Sequence, residues 1–301
     1  MIFKEWIAFK RYMLMRKEAF RKQYKLGGKW HFTSYSADLH LINNLKYLDR
    51  QSQNLIKRMN NPNYTLRDRI MSTFVFRVTG DYTYSRFFAN RHYIFDLSSV
   101  EALADSLDEP WDIIELNYEI EIKNGRDLKI AVESLLELMD RGYSFMNKKP
   151  SVIYRELKEF GILGVNDFLL SEFIYDLSYI DELNIKLDLI PVLDYRGEEI
   201  YLLITGYSDF NESDYEAFVE RVLKSYTDVR ARHWKEVYIS PVDVSHMLMG
   251  YYNFRHRKID RKRKARKYNI EDIILPRSIH DYIKSNRVYN QAHRRARRLL
   301  S

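Results

Sequence analysis

Residues 160–180 read FGILGVNDFLLSEFIYDLSYI, and this stretch decides the predicted fold. The apolar pattern predicts a helix over 151–160, a short turn that contains Gly164, and a second helix over 166–179. Backbone N–H groups at such a turn, and at the N-terminus of the helix that follows it, can hold a phosphate of DNA. The stretch therefore predicts a helix–hairpin–helix unit.

The rest of the chain is predicted to be mainly α, because Gly and Pro are scarce, at 10 and 6 residues. Hydrophobic periodicity predicts further helices near 1–24, 37–60, 66–78, 83–93, 98–106, 110–118, 127–141, 212–226 and 241–254. The run IKLDLIPVLDYRGEEIYLLITG over 185–206 fits either one small β-hairpin around Arg196-Gly197 or a buried helix. We expect one helical domain over 1–250 and a basic C-terminal extension over 251–301.

Charge is distributed unevenly along the 301 residues. The formal net charge is +7, with +11 over 1–100, −16 over 101–250 and +12 over 251–301. Two basic ends around an acidic middle suit a polyanion such as DNA, although RNA, an anionic membrane surface or a merely solvated face fits too. No apolar run approaches the roughly 18 residues that a membrane span needs, so no membrane partner is expected.

Several chemistries are excluded by the absence of residues or motifs. The chain has no Cys, which rules out disulfides and thiolate chemistry and fits a cytoplasmic location. It has no Gly-rich phosphate loop and no His-Glu-x-x-His motif, and its eight His show no metal-like cluster. An enzyme here would rely on carboxylates and basic residues; no metal ligands and no certain cofactor are predicted, and a bound Mg²⁺ stays an option.

Two segments place polar residues in patterns that suit a site. In NNLKYLDRQSQ (43–53), Asp49 and Gln53 would share a helical face, although Asp49 beside Arg50 also fits a surface ion pair. In FVFRVTGDYTYSRFF (74–88), Arg77 lies among aromatic residues before a predicted Gly-Asp turn. It is a candidate clamp for phosphate or pyrophosphate, or an arginine held by a core carboxylate such as Asp176.

A third pattern occupies PVDVSHMLMGYYNFRHRKIDRKRKARKY over 241–268. Asp243, His246 and Gly250 fall on one helical face. Tyr252 and Arg255 follow, and aromatic residues interleaved with Arg suit base stacking and phosphate contact. Core packing by the aromatic residues and a solvated basic run are the alternatives.

Taken in order, these segments resemble the alpha-glutamyl/putrescinyl thymine pyrophosphorylase family, the amino-acid:DNA transferases of phages with hypermodified thymine. That family is related to the helical domain of 5-hydroxymethyluracil DNA kinases. The resemblance spans most of 30–270. It rests on Trp30-His31-Phe32, Asn44, Asp49-Arg50-Gln51-Ser52-Gln53, Phe76-Arg77, Gly164 to Asp176-Leu177, and Asp243-Val244-Ser245-His246 to Tyr252 and Arg255.

The chain departs from the family pattern at three places. Leu41-Ile42-Asn43-Asn44 stands where the family often has Arg-Phe-Thr-Asn, and Leu248-Met249-Gly250-Tyr251 where it often has Leu-Cys-Glu-Phe. Asn166 replaces the second glycine of the hairpin, and Asn can adopt the left-handed conformation that a glycine there would supply.

The resemblance implies a fold related to helix–hairpin–helix DNA glycosylases and a reaction on DNA in the cytoplasm of an infected bacterium. An amine or amino acid would displace pyrophosphate from 5-pyrophosphoryloxymethyl-deoxyuridine in double-stranded DNA, after a hydroxymethyluracil DNA kinase has acted. Asp49 or Asp176 would serve as the base or orient an arginine, and Arg77, with Arg50 and Arg255, would neutralise the pyrophosphate. The substrate would be held by Asn44, Arg50, Gln53, Asp243, His246, Tyr252 and Arg255. DNA would be bound by Gly164, Asn166, Arg257, Lys258, Arg261, Lys262, Arg263 and Lys264.

Two other functions remain open at this point. A noncatalytic helical module that guides a separate kinase to DNA would show similar motifs, with the carboxylates as structural partners. A hydrolytic DNA glycosylase would release a free base, whereas the transferase releases pyrophosphate and keeps the glycosidic bond.

Overall fold

The computed structural model describes residues 1–25, 46–48, 50–88, 125–162, 164–228, 239–256, 274 and 276–285. Across these residues every regular element is a helix, which confirms the mainly α prediction. In chain order they are α1 (Phe3–Lys25), a 3₁₀ turn (Lys46–Leu48), α2 (Arg50–Met59), α3 (Leu66–Phe88), α4 (Gly125–Asp140), α5 (Pro150–Phe160), α6 (Asp167–Leu177), a 3₁₀ turn (Asp181–Leu183), α7 (Tyr195–Thr205), α8 (Glu212–Asp228), α9 (Pro241–Arg255) and α10 (Arg277–Ser285).

The chain forms two compact units. Unit 1 takes its residues from 1–50, 193–275 and 279–301, and unit 2 from 51–192 and 276–278. The predicted border at residue 250 falls inside α9, which runs on to Arg255. The functional division into a catalytic domain and a DNA-contacting extension stays a prediction.

Three predicted elements differ from the structure. Of the two alternatives for 185–206, the β-hairpin is wrong, because no strand forms there, and the buried helix is confirmed for the second half, which is α7. The predicted Gly80-Asp81 turn is also wrong, since α3 runs through it to Phe88; an isolated glycine weakens a helix without ending it. In the predicted helix over 37–60, the described part is a 3₁₀ turn followed by α2. The predicted helices over 98–106 and 110–118 lie outside the described residues.

Local capping explains why α7 replaces the hairpin. The Asp194 side chain accepts a hydrogen bond from the Gly197 amide at 2.8 Å, which fixes the first turn. Gly206 ends the helix with a left-handed φ of 79°. Ile200 and Ile204 share a helical face and are buried. Tertiary packing of this face outweighs the β-propensity of the same residues.

Unit 1 has an aromatic core. α9 packs against α1, α7 and α8. The ring of Tyr201 on α7 meets Tyr215 and Phe218 of α8 edge-on at 5.4 and 5.3 Å. Phe9 of α1 meets Tyr251 of α9 in the same way at 5.5 Å. The high aromatic content of the sequence is therefore used partly to hold these helices together.

Unit 2 is built around α6, whose residues 168–177 are all buried. A helix buried on every side must lie among other elements, and α3 and α5 both pack against it. Asn60, at the end of α2, joins the turn after α6 through its side chain. It donates to the Tyr179 carbonyl at 2.7 Å and accepts from the Asp181 amide at 2.9 Å.

Candidate functional site

Arg77 and Asp176, both predicted site residues of unit 2, form an ion pair. Arg77 lies on α3 and Asp176 on α6, 99 residues later. The Nε atom of Arg77 donates to Asp176 Oδ2 at 2.6 Å, and Nη2 contacts the same oxygen. The structural alternative for these residues, an arginine held by a core carboxylate, is thus what their geometry shows. The catalytic role stays a prediction.

The pair is almost fully enclosed, and a second carboxylate lies beside it. The Arg77 side chain is 8% exposed and Asp176 is 0% exposed. Glu172, one turn earlier on α6 and also buried, places Oε2 3.4 Å from Arg77 Nη1. A buried charge that loses its partner is costly, so these three side chains are expected to be strongly coupled.

The helices predicted on either side of the turn with Gly164 are present in unit 2 as α5 and α6. Gly161 ends α5 with φ 75°, and Gly164 also has a left-handed φ, of 74°. Asn166 does not take the left-handed conformation expected of it: it is extended, at φ −76°, and its side chain caps α6 by accepting from the Leu169 amide. Across the turn, Lys158 pairs with Asp167 at 2.7 Å, which places an acidic group at the helix end proposed to hold a phosphate.

In unit 1, Asp243 joins two segments that lie far apart in sequence. Its Oδ1 accepts from the backbone N–H of Lys46 at 2.7 Å, across 197 residues. Its Oδ2 accepts from the amide and the hydroxyl of Ser240 at 2.6 and 2.8 Å. Burial raises the pKa of Asp243 to about 6, although the bonds from Ser240 and Lys46 and the nearby charge of His246 act to lower it.

The other predicted residues of α9 lie on its buried or partly exposed faces. His246 and Tyr252 are buried, and Tyr252 places its ring 4.2 Å from that of His256. Arg255 forms an ion pair with Glu5 of α1, so an anion that bound Arg255 would compete with this carboxylate. Gln53 is buried on α2 and belongs to unit 2.

Several predicted site residues lie outside the described part of the structure. They are Asn44, Asp49, Arg257, Lys258, Arg261, Lys262, Arg263 and Lys264, with Trp30-His31-Phe32 of the family pattern. Arg50 begins α2, but its side chain also lies outside the described part.

Sequence reasoning missed a buried ion pair in unit 1. Arg196 Nε donates to Asp194 Oδ2 at 2.6 Å, and both side chains are buried. The pattern Asp-x-x-Gly at 194–197 was the available signal, because an aspartate three residues before a free amide is typical of a helix N-cap. This N-cap pattern was overlooked because it lies in the run 185–206, for which a hairpin was one of the two alternatives.

No protein-family model, curated protein or solved structure matches this chain. Among the described residues, no group of three or more His, Asp or Glu side chains could hold a metal ion, and the carboxylates of Asp176 and Glu172 face Arg77. None of the described helices is long and apolar enough to cross a membrane.

Proposed function

We propose that the protein is a DNA-modifying transferase that displaces pyrophosphate from 5-pyrophosphoryloxymethyl-deoxyuridine. The nitrogen of an amine or amino acid attacks the 5-methylene carbon. A C–N bond forms, the C–O bond to pyrophosphate breaks, and the ammonium proton passes to a carboxylate. The substrate is double-stranded DNA that a hydroxymethyluracil DNA kinase has already modified, in the cytoplasm of an infected bacterial cell.

The observation that carries this proposal is that the segments of the family pattern meet in pairs. Phe76-Arg77 and Asp176-Leu177 are joined by the ion pair of unit 2. The segment with Asn44 and Asp49, through the backbone of Lys46 between them, is joined to the last segment by the buried hydrogen bond to Asp243 in unit 1. Each contact joins segments that are far apart in sequence, by 99 and 197 residues, as a site assembled by the fold requires.

The ion pair suggests how Arg77 and Asp176 would divide the chemistry. In the proposed reaction Arg77 leaves Asp176 and binds the pyrophosphate, whose oxygens match the guanidinium fork. The carboxylate of Asp176 is then free to accept the proton of the attacking amine. The buried base would be reached by a nucleotide that has left the stack, as enzymes that act on bases require.

A noncatalytic DNA-binding module is the second candidate, and one observation favours it. Asp176 is 0% exposed and bound to Arg77, as expected of a pair that only holds α3 and α6 together. The two candidates differ in whether Arg77 ever leaves Asp176.

Pyrophosphate release from activated DNA with a panel of amines distinguishes the candidates. We expect wild-type protein to release pyrophosphate, and Asp176→Asn to lose about 10²–10⁴-fold in turnover, as removal of a general base does. Arg77→Lys keeps the charge but loses the fork, so turnover should fall more than DNA affinity. Asp49→Asn tests the other predicted base, and Asp140→Asn, an exposed carboxylate of unit 2, is the matched control.

Melting temperatures and nucleoside mass spectrometry complete the test. A folded Asp176→Asn variant with wild-type turnover would reject Asp176 as the base. Wild-type protein that binds DNA but releases no pyrophosphate with any amine would support the noncatalytic module. Release of a free base would identify a glycosylase.

A further inference from the structure

Arg196, at the start of α7 in unit 1, combines deep burial with unused hydrogen-bonding capacity. Its side chain is only 7% exposed. Asp194 accepts from Nε, and among the described residues no other group accepts from this guanidinium. Arginine has five N–H donors, and the Nη atoms of Arg196 are not among the fully enclosed side-chain atoms that lack a hydrogen-bond partner. These two donor groups therefore reach the surface, where a ligand can accept from them in place of water.

The orientation of the Arg196 guanidinium is fixed by the carboxylate of Asp194, which binds its Nε atom. Asp194 binds Nε with one carboxylate oxygen and the Gly197 amide with the other. A Cβ atom at Gly197 would lie 3.2 Å from Asp194 Oδ1, so glycine at this position leaves room for the carboxylate that holds Arg196. An arginine held through Nε presents its Nη groups end-on, as two parallel donors at a fixed spacing.

An exposed aromatic ring lies beside the guanidinium. Tyr195 is 48% exposed, and its ring centroid lies 5.7 Å from Arg196 Cζ. Its ring meets Tyr252 edge-on at 6.1 Å. An exposed tyrosine next to a fixed donor pair offers one surface for stacking and another for edge recognition.

The charges nearby favour a neutral ligand over an anion. Asp194 already neutralises Arg196. Glu198 and Glu199 follow on the same helix, and Glu199 lies 3.4 Å from His256 Nε2. Glu198 adds negative charge to the first turn of α7, which disfavours an anion at Arg196 more than a neutral ring with two adjacent acceptors. Guanine has this pattern, because O6 and N7 accept from both arms of an arginine fork.

We propose that Arg196 and Tyr195 bind an unstacked guanine in DNA, with the base stacked on Tyr195 and its O6 and N7 atoms facing Arg196. This inference rests on the proposed DNA substrate and deepens it. It gives the protein a preference for guanine in the DNA that it binds.

Binding of labelled single-stranded oligonucleotides to the full-length protein tests the inference. Each oligonucleotide would consist of thymine with one test base, which is guanine, hypoxanthine, 7-deazaguanine or adenine. Hypoxanthine keeps O6 and N7, 7-deazaguanine lacks N7, and adenine has a donor in place of O6. We expect guanine and hypoxanthine to bind about 10-fold more tightly than the other two, as a bidentate contact predicts.

Variants separate stacking from edge recognition. Tyr195→Leu should weaken binding of every oligonucleotide about 10-fold, as loss of a stacking platform does. Tyr207→Leu is the matched control, because Tyr207 is 47% exposed in the same unit. Arg196→Gln should move the preference towards adenine, which pairs with a Gln amide. The base series on wild-type protein needs no variant, so it decides the question even if Arg196→Gln fails to fold.

Equal binding of all four bases by wild-type protein, or equal losses in Tyr195→Leu and Tyr207→Leu, would overturn the guanine site. Pyrophosphate release could still occur in that case, so the proposed function would survive. Wild-type protein that binds no DNA would overturn both proposals. Base preference without pyrophosphate release would retain the guanine site and reject the transferase.

Discussion

The two units each bury an aspartate, and they stabilise it in different ways. In unit 2, Asp176 is bound by the guanidinium of Arg77. In unit 1, the described hydrogen bonds to Asp243 come from N–H and O–H donors of Ser240 and Lys46, and burial raises its pKa to about 6. An ion pair makes each partner dependent on the other, whereas a carboxylate held by neutral donors changes its charge with pH.

The units also differ in charge. The ranges of unit 1 contain 32 Lys and Arg against 19 Asp and Glu, and those of unit 2 contain 17 against 23. Residues 1–50 of the basic N-terminal range and nearly all of the basic range 251–301 belong to unit 1. Electrostatic attraction of DNA should therefore act mainly on unit 1, although the hairpin with Gly164 belongs to unit 2.

The largest expected effect concerns the basic run. Replacing Arg257, Lys258, Arg261, Lys262, Arg263 and Lys264 by Gln should weaken duplex DNA binding and lower its salt slope by about 0.9 for each phosphate that the protein no longer neutralises. Substitution is preferable to truncation, since α10 follows and its Ile279 is buried. The measurement is a salt titration of DNA affinity.

The control for this prediction uses unit 2. Six exposed basic residues there, Lys57, Arg126, Arg141, Lys149, Arg155 and Lys158, would be replaced by Gln. An equal fall in salt slope for both six-residue variants would contradict the assignment of DNA attraction to unit 1.

The next effect is on the stability of unit 2. Arg77→Met should lower the free energy of unfolding by about 3–5 kcal/mol, because it leaves a buried carboxylate without its cation. Arg67→Met, on the same helix, should cost about 0–1 kcal/mol, because its partner Asp140 is exposed. Denaturant unfolding measures both, and similar losses would show that the enclosed pair adds nothing beyond a surface contact.

A third prediction tests the pH sensitivity of unit 1. The pKa of Asp243 is raised from 3.8 to about 6, so the folded protein keeps this proton where the unfolded chain has released it. The contribution of Asp243 is therefore fully present below pH 3.8 and is lost as pH rises to about 6. The stability of wild type relative to Asp243→Asn should fall by about 2–3 kcal/mol across this window.

Asp140 is expected to show the opposite pH dependence of stability and serves as a comparison for Asp243. A hydrogen bond from Arg67 lowers its pKa, so its contribution is present above the ordinary pKa and is lost in acid. Wild type relative to Asp140→Asn should lose stability as pH falls below about 4. A pH-independent difference for Asp243→Asn would mean that this carboxylate keeps one charge state throughout.

Local patterns explain what the sequence could predict. The hairpin and α9 were predictable because helix periodicity and the residues Gly161, Gly164 and Pro241 act over a few positions. The shared face of Asp243 and His246 follows from helical spacing alone. These features depend on neighbours along the chain, which a single sequence contains.

Pairings over long distances were not predictable in the same way. Lys46 reaches Asp243 across 197 residues, and neither residue carries a local sign of the other. Asp176 was a candidate partner for Arg77, but the added proximity of Glu172 depends on how α3 packs on α6. The choice between hairpin and helix for the α7 segment stayed open for a related reason, since burial of its apolar face, which favours the helix, depends on tertiary packing.

The smallest expected effect compares one helix end from each unit. Gly161 ends α5 in unit 2 at φ 75°, and Gly206 ends α7 in unit 1 at φ 79°. Alanine in the left-handed conformation costs about 1–2 kcal/mol, so either Gly→Ala substitution should lower stability by that amount. A Cβ atom at Gly161 meets nothing within 4 Å, so only backbone strain acts there.

At Gly206 a Cβ atom would approach Ile2 Cγ1 at 3.2 Å, and the half-exposed Ile2 side chain has room to move. We expect Gly206→Ala to cost slightly more than Gly161→Ala. Asparagine tolerates the left-handed conformation, so Gly161→Asn should cost less than Gly161→Ala if backbone strain is the cause. Thermal unfolding of the three variants measures this. An asparagine at 161 that costs as much as alanine would mean that side-chain bulk, and not φ, limits the hairpin turn.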